Sequence, residues 1–245
     1  MFRYLAWRFT IGLLAMAFIP VGLLFTAAAS TPKSNIESSN ESLEATQKWL
    51  KSLRLKYTLE QVKPLRLLKL QLYGNINGVS SQILISNQKL THLKNLPNIE
   101  ILSLPVWTND KGFENIAGLI KLKQLIIPQT NITDSALKLL KNKLELQHLV
   151  LAGSKISDKG LANLAGLTKM EILNLNSTQV STAGFKQLAN LKNLQQLYIL
   201  NTNIKDDAVP LIVTFKNLKR LDVGDNISKA NKAKINQAIR GIKIH

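Results

Sequence analysis

The chain has 245 residues, 45% hydrophobic and 19% charged, with no Cys and three His. That is length enough for a sizeable core, and it excludes disulfides, thiol nucleophiles, Fe–S clusters and Cys-based zinc sites. Lys and Arg number 32 against 15 Asp and Glu, a formal charge of +17 that favours anionic surfaces or acidic partners; Arg supplies only six of the 32, and Lys reads base edges poorly, so sequence-specific nucleic-acid binding is not expected.

In chain order, Arg3 and Arg8 precede an uncharged run from Phe9 to Pro32, in which Ala27 and Ala29 stand before Ser30 in the small-x-small pattern of a signal-peptidase site. Residues 1–29 are read as a signal peptide, or, if uncleaved, as a membrane anchor through residues 9–29. Either reading places the rest outside the cytoplasm: periplasmic, secreted or membrane-anchored. Residues 30–40, rich in Ser, Asn and Thr, form a flexible linker. Residues 41–80 are a capping region, with an amphipathic helix around Glu41–Leu55 carrying Leu43, Trp49, Leu50 and Leu53, and with strands near Leu67–Leu72 and Gln82–Ile85.

Residues 81–228 repeat. The pattern L-x-x-L-x-L opens at Leu122, Leu146, Met170, Leu194 and Leu218, each 24 residues after the last, and a copy of 23 residues opens at Ile99. Before it, Leu90, Leu93 and Leu96 end an irregular copy. Alternating apolar residues make a short strand with one buried face. Thr130, Ser154, Thr178, Thr202 and Asn226 follow, placed to satisfy backbone groups of the turn. Asp134, Asp158, Thr182 and Asp206 share one column and are expected to be helix N-caps, ahead of an apolar stripe such as Leu161 and Leu164. No coil buries its own face, so stability requires stacking. Beyond the repeats, residues 229–245 form a C-terminal cap: Ser228 caps a helix over Lys229–Arg240 that ends at Gly241, and Ile242 and Ile244 close the last turn.

These residues resemble the leucine-rich-repeat family, in the 24-residue bacterial form, over roughly residues 80–228. The repeats are also similar to those of F-box adaptor proteins, but lack their cysteine column, and no F-box pattern precedes them. The resemblance implies an α/β leucine-rich-repeat solenoid, curved, with parallel strands on the concave face and helices on the convex face. It also implies an exported bacterial protein that binds a protein partner without catalysis, and it allows a secreted effector acting on a host protein.

The outward strand positions stack into columns. The third position of each copy gives Ile101, Gln124, His148, Ile172, Gln196 and Arg220; the fifth gives Ser103, Ile126, Val150, Asn174, Tyr198 and Asp222; Leu200 follows two places after Tyr198. Low charge with aliphatic and aromatic anchors marks this face as the partner-binding surface. The competing expectation is a cationic surface that binds anionic lipid or cell-wall polymer, drawn from the +17 charge. No phosphate-loop, dinucleotide, zinc-protease or nucleophile-elbow pattern occurs, so no catalytic, cofactor or metal residue is assigned. His148, Ser154 and Asp158 are the nearest approach to a triad, and their columns keep them apart.

Overall fold

A computed structural model describes residues 44–50, 58–60, 66–71, 75–76, 79–80 and 87–245, and side chains within 44–50 and 87–245. The signal or anchor segment, the linker and the strand expected at Gln82–Ile85 lie outside the described residues. Among the described residues no helix is long and apolar enough to cross a membrane.

The strands are β1 (Thr58–Glu60), β2 (Arg66–Gln71), β3 (Asn75–Ile76), β4 (Val79–Ser80), β5 (Ile101–Ser103), β6 (Gln124–Ile126), β7 (His148–Val150), β8 (Ile172–Asn174), β9 (Gln196–Tyr198), β10 (Arg220–Asp222) and β11 (Lys243–Ile244). Nine of them form one sheet, ordered β1-β2-β5-β6-β7-β8-β9-β10-β11, and β3 and β4 make a separate hairpin. β1 is antiparallel to β2, and the later pairs are parallel. β2 covers most of the strand expected at Leu67–Leu72, and its parallel pairing with β5 extends the sheet into the capping region.

Register follows sequence period. Leu102, Leu125, Leu149, Leu173, Leu197 and Leu221 face one another rung by rung, and each is fully buried. A one-residue slip would turn every one of them outward, so the leucines fix the pairing. Opposite each strand lies a four-residue helix, Asp110–Phe113, Asp134–Leu137, Asp158–Leu161 or Thr182–Phe185, running into a 3-10 turn. In the following coil the order inverts: a 3-10 turn at Asp206–Ala208 leads into Val209–Ile212, where Pro210 occupies the first turn and its missing N–H costs nothing.

The turn column behaves as its chemistry demands. Ser154, Thr178 and Thr202 each donate their hydroxyl to the carbonyl three residues back, at 2.6–2.7 Å. Asn226 reaches across a coil instead, donating to the Ile199 carbonyl at 2.8 Å. Immediately before that column, Gln129, Ser177 and Asn201 have φ of 53°, 56° and 54°, and Gly153 has 72°. The backbone thus passes through the left-handed region at the same place in four consecutive coils, and glycine occupies it only once.

The helix caps lie one residue earlier than expected. Thr133, Ser157 and Ser181 are the N-caps, each accepting from the N–H two residues on. Asp134 and Asp158, beside the first two caps, are the first helical residues, and their carboxylates are turned to the next coil; Thr182 takes that place after Ser181 and accepts from the Lys205 N–H at 3.0 Å. Lys205 holds the corresponding position before Asp206 without a side-chain cap bond. Asp206 and Asp207 face opposite neighbours: Asp206 accepts from the Ser228 N–H at 2.8 Å, and Asp207 accepts from the Thr182 hydroxyl at 2.6 Å. Charge at the helix start is therefore only part of their role.

One core position departs from the repeat. Leu119, Leu167, Leu191 and Phe215 fill a buried column in which the second coil places Lys143, itself 1% exposed. Its Nζ donates to the carbonyls of Ile116, Ala117 and Leu119 at 2.8, 3.1 and 3.2 Å. Burial pushes its pKa down to about 8.

The ends are covered. The helix over 44–50 buries Trp49 and Leu50, and Trp49 stacks on His92 with ring centroids 4.9 Å apart. His92 belongs to a 3-10 helix, Asn87–Asn95, in which the irregular Leu90 and Leu93 are buried. At the other end the helix Lys229–Ala238 is capped by Ser228, Gly241 turns the chain at φ 79°, and β11 continues the sheet rather than merely closing a turn.

Candidate functional site

The strand face expected to be the concave one is built by the two outward columns of β5 to β10. Ile101, Gln124, His148, Ile172, Gln196 and Arg220 are hydrogen-bonded neighbours in that order, as are Ser103, Ile126, Val150, Asn174, Tyr198 and Asp222. The stacking inferred from the 24-residue period is thus the register of the sheet.

Exposure divides the thirteen residues. All but two are half-buried, as side chains standing on a sheet with one free face should be. Ser103 and Tyr198 are exceptions, at 3% and 7% exposure. Expected as free surface, they are covered. Tyr198 lies beneath the Arg220 guanidinium, 5.4 Å from its ring centroid, and donates its hydroxyl to Gln196 Oε1 at 2.7 Å. Burial raises its pKa, with Arg220 opposing. Tyr198 therefore anchors Gln196 and Arg220 rather than offering itself to a partner.

An apolar band runs through the middle of the face: Ile126 on β6, Val150 on β7 and Ile172 on β8, each partly open. Around it stand Gln124, Asn174 and Gln196, with Arg220 and Asp222 at the C-terminal end. Asn174 Oδ1 accepts from the Asn176 N–H at 3.0 Å, and Asn176 Oδ1 accepts from the Leu200 N–H at 2.7 Å. These amides fix the strand exits while leaving part of their hydrogen-bonding capacity free. Leu200 is half-buried beside them. Burial lowers the pKa of His148, against the pull of Glu171, so at neutral pH it presents an uncharged imidazole.

The three residues of the apparent triad are separated. Ser154 is spent on the Leu151 carbonyl, and Asp158 accepts from the N–H and hydroxyl of Ser181. Among the described residues no group of three His, Asp or Glu could hold a metal ion.

Sequence reasoning missed the rim where the chain enters the strands. Lys123 pairs with Glu100 at 2.7 Å and Lys169 with Glu145 at 2.6 Å. Beyond them Gln195 donates to Glu171 at 3.0 Å, and Lys219 donates to Gln195 at 3.0 Å. A groove of about 450 Å³ opens there. The signal was present: the residue after the first leucine of each copy is polar or charged throughout, in Lys123, Gln147, Glu171, Gln195 and Lys219.

Parallel strands, hydroxyl-bonded turns and short helices recurring every 24 residues define the leucine-rich-repeat fold. No protein-family model matches the sequence, and no curated protein matches it. Solved structures share the architecture. An internalin F of Listeria monocytogenes is similar over 63% of this chain and 49% of its own, with 23% identity and a TM-score of 0.50; this chain thus corresponds to about half of that protein. An internalin C2 of the same species matches 66% of this chain and 84% of its own, at 22% identity and TM-score 0.49. A leucine-rich-repeat protein of Leptospira interrogans matches 63% of this chain and 50% of its own, at 16% identity and TM-score 0.42.

Proposed function

We propose that the protein is an exported, non-enzymatic interaction module that holds another protein against its concave strand face. The observation that carries this reading is a set of partly open apolar residues on three adjacent strands: Ile126 and Val150, which pair directly, and Ile172, which pairs with His148 and lies diagonal to Val150, bordered by the amides of Gln124, Asn174 and Gln196. A central apolar patch ringed by hydrogen-bonding groups is the anatomy of a protein interface, and stacked coils present it as one rigid, extended surface. The contact residues are Ile101, Gln124, Ile126, His148, Val150, Ile172, Asn174, Gln196, Leu200, Arg220 and Asp222, with Ser103 and Tyr198 supporting them from below.

The cationic, apolar N-terminal segment supports export, with the repeats outside the cytoplasm. The test is capture from the native cell surface or culture fluid by the wild-type chain and by Val150→Asp with Ile172→Asp. Each Asp stands on the free face of its strand, so folding is retained. The wild type should retain a specific protein that the double variant loses; retention by both would remove the concave face from the function.

A further inference from the structure

Among the described residues, the large apolar side chains left mostly open to water are Ile120 and Leu144, at 61% and 56% exposure. They occupy one column. Each stands two places before the first leucine of its copy, Leu122 or Leu146, and four places before a residue of a registered pair, Gln124 on β6 and His148 on β7. The exposed Pro97 holds the same place one coil earlier, four residues ahead of Ile101 on β5. Rungs about 4.8 Å apart therefore set Pro97, Ile120 and Leu144 side by side on the strand-entry rim. The core does not need them: Leu119 and Leu122 fill it on either side of Ile120, as Lys143 and Leu146 do around Leu144. Thr168, Lys192 and Lys216 follow in the column and end its apolar run.

The charge beside this patch is positive. Lys94 and Lys141, three places before Pro97 and Leu144, and Lys121, next to Ile120, are exposed. Among the described residues none of these three forms an ion pair; Lys121 donates to a neutral acceptor, Asn98 Oδ1, at 2.8 Å. The carboxylates of the same stretch of rim are occupied, Glu100 by Lys123 and Glu145 by Lys169. Towards the helices, Glu114 is followed by Lys138 in its own column. Three ammonium groups thus flank the aliphatic residues without a matching anion.

We propose that this N-terminal half of the rim is a membrane-docking edge that seats on an anionic phospholipid surface. Aliphatic side chains projecting from turns enter the interfacial layer of a bilayer, while lysines lay their stems along apolar surface and keep their heads at the level of the phosphates. Each such lysine adds attraction to an anionic leaflet. Other occupants fit less well. A second copy docking symmetrically through the same patch would bring Lys94, Lys121 and Lys141 against their own counterparts, in a chain that already carries +17. A protein hot spot is built on Trp, Tyr or Arg held in a pocket, and the residues here are Pro, Ile and Leu on an open edge. Because the rim is an edge of the strand layer, this contact leaves Ile126, Val150 and Ile172 free, and it stands independently of the protein-binding surface proposed above.

The uncharged run from Phe9 to Pro32 can hold the full chain on vesicles by itself, so the readout must be local. The chain has no cysteine, and Ile120→Cys, Leu144→Cys and Lys186→Cys each carry one environment-sensitive fluorophore, nitrobenzoxadiazole. Vesicles of phosphatidylglycerol and phosphatidylcholine in equal parts are compared with vesicles of phosphatidylcholine alone. On the anionic vesicles only, the probes at 120 and 144 should shift to the blue and become about tenfold less accessible to acrylamide, and the probe at 186 should not. In the protein labelled at 120, Lys94→Gln, Lys121→Gln and Lys141→Gln together should raise the lipid needed for half the shift at least about fivefold, and Arg at the same three positions should restore it. Lys155→Gln, Lys159→Gln and Lys186→Gln together should change it less than about twofold. Val150→Asp with Ile172→Asp should leave the shift intact, which separates this edge from the strand face. Probes that stay in water on anionic vesicles, equal insertion into neutral ones, or equal weakening by both Gln triples would overturn the proposal. A shift without lipid, on raising the protein concentration or adding delipidated surface proteins, would assign the patch to a second copy or a protein partner and overturn it too.

Discussion

Asp134 and Ser157 lie in successive coils and are joined twice: the Ser157 N–H reaches Asp134 Oδ1 at 2.8 Å and its hydroxyl reaches Oδ2 at 2.6 Å. Asp110 holds Thr133 in the same way, at 2.7 and 2.6 Å, and Asp158 holds Ser181. The residue that caps one helix is thus clamped by the helix before it. Asp134→Ala removes two hydrogen bonds to a charged group and takes from the Ser157 N–H its acceptor, so urea denaturation should show a loss of about 2 kcal/mol. Asp158→Ala should cost a similar amount, and the double variant should depart from additivity, because the two clamps share a coil.

The clamp needs space. A methyl group at Gly184 would stand 2.6 Å from the Cα of Asp158, which is backbone and cannot rotate away. Gly166 has nothing within 4 Å of the same position. Gly184→Ala should therefore destabilise the protein by about 1–3 kcal/mol, and Gly166→Ala should be neutral or slightly stabilising. Thermal denaturation of the two variants side by side checks the contrast.

Lys143 is a pH-dependent weak point of the core. Its pKa falls from 10.5 to about 8 on folding because burial disfavours the ammonium. The unfolded chain then holds the proton more tightly than the native one. Below pH 8 both states are protonated and the penalty is complete; between about 8 and 10.5 it is relieved as pH rises; above 10.5 it is gone. Lys143→Met restores an apolar residue to the leucine column. The carbonyls of Ile116 and Leu119 keep their backbone donors, Leu119 and Leu122. The variant should be more stable at pH 7 by about 1–3 kcal/mol, with the advantage shrinking towards pH 10.5, as denaturant midpoints across that range will show.

Ser177 holds φ at 56°, a conformation that costs a non-glycine residue about 1–2 kcal/mol. Its coil neighbour Gly153 solves the same problem at φ 72°. Ser177→Gly should raise stability by about 0.5–1 kcal/mol after the entropy gained by the unfolded chain is counted. Asn201→Gly should gain less, since Asn enters this region more readily. Chemical denaturation resolves both.

Much of this architecture is legible in residues alone, because period is a physical statement. Leu149 and Leu173 must face one core, so residues 24 apart must pair, and from that pairing the concave columns follow. The hydroxyls of Ser154 and Thr178 were legible for the same reason: a buried turn has to satisfy its backbone. Partner choice within a polar column was not. Asp158 suits a helix cap as well as a clamp on the next coil, and only the coil-to-coil geometry decides between them. Tyr198 sits at an outward position, yet the neighbouring Arg220 covers it, a fact that no single repeat contains. Lys143 breaks the column of Leu119 and Leu167 and reads as one more surface lysine until its carbonyl acceptors are seen. The rim groove arises from side chains of four coils, none of which carries a motif.

The concave face is the centre of the functional account, and site-specific photo-crosslinking tests it most directly. A photoreactive residue is placed at Asn174 on the concave face, and in a second protein at Lys186 on the convex side, and both are irradiated with material from the native cell surface. The account predicts a discrete crosslinked protein from position 174 and none from position 186. Crosslinking of the same protein from 186 alone, or equally from both, would contradict it.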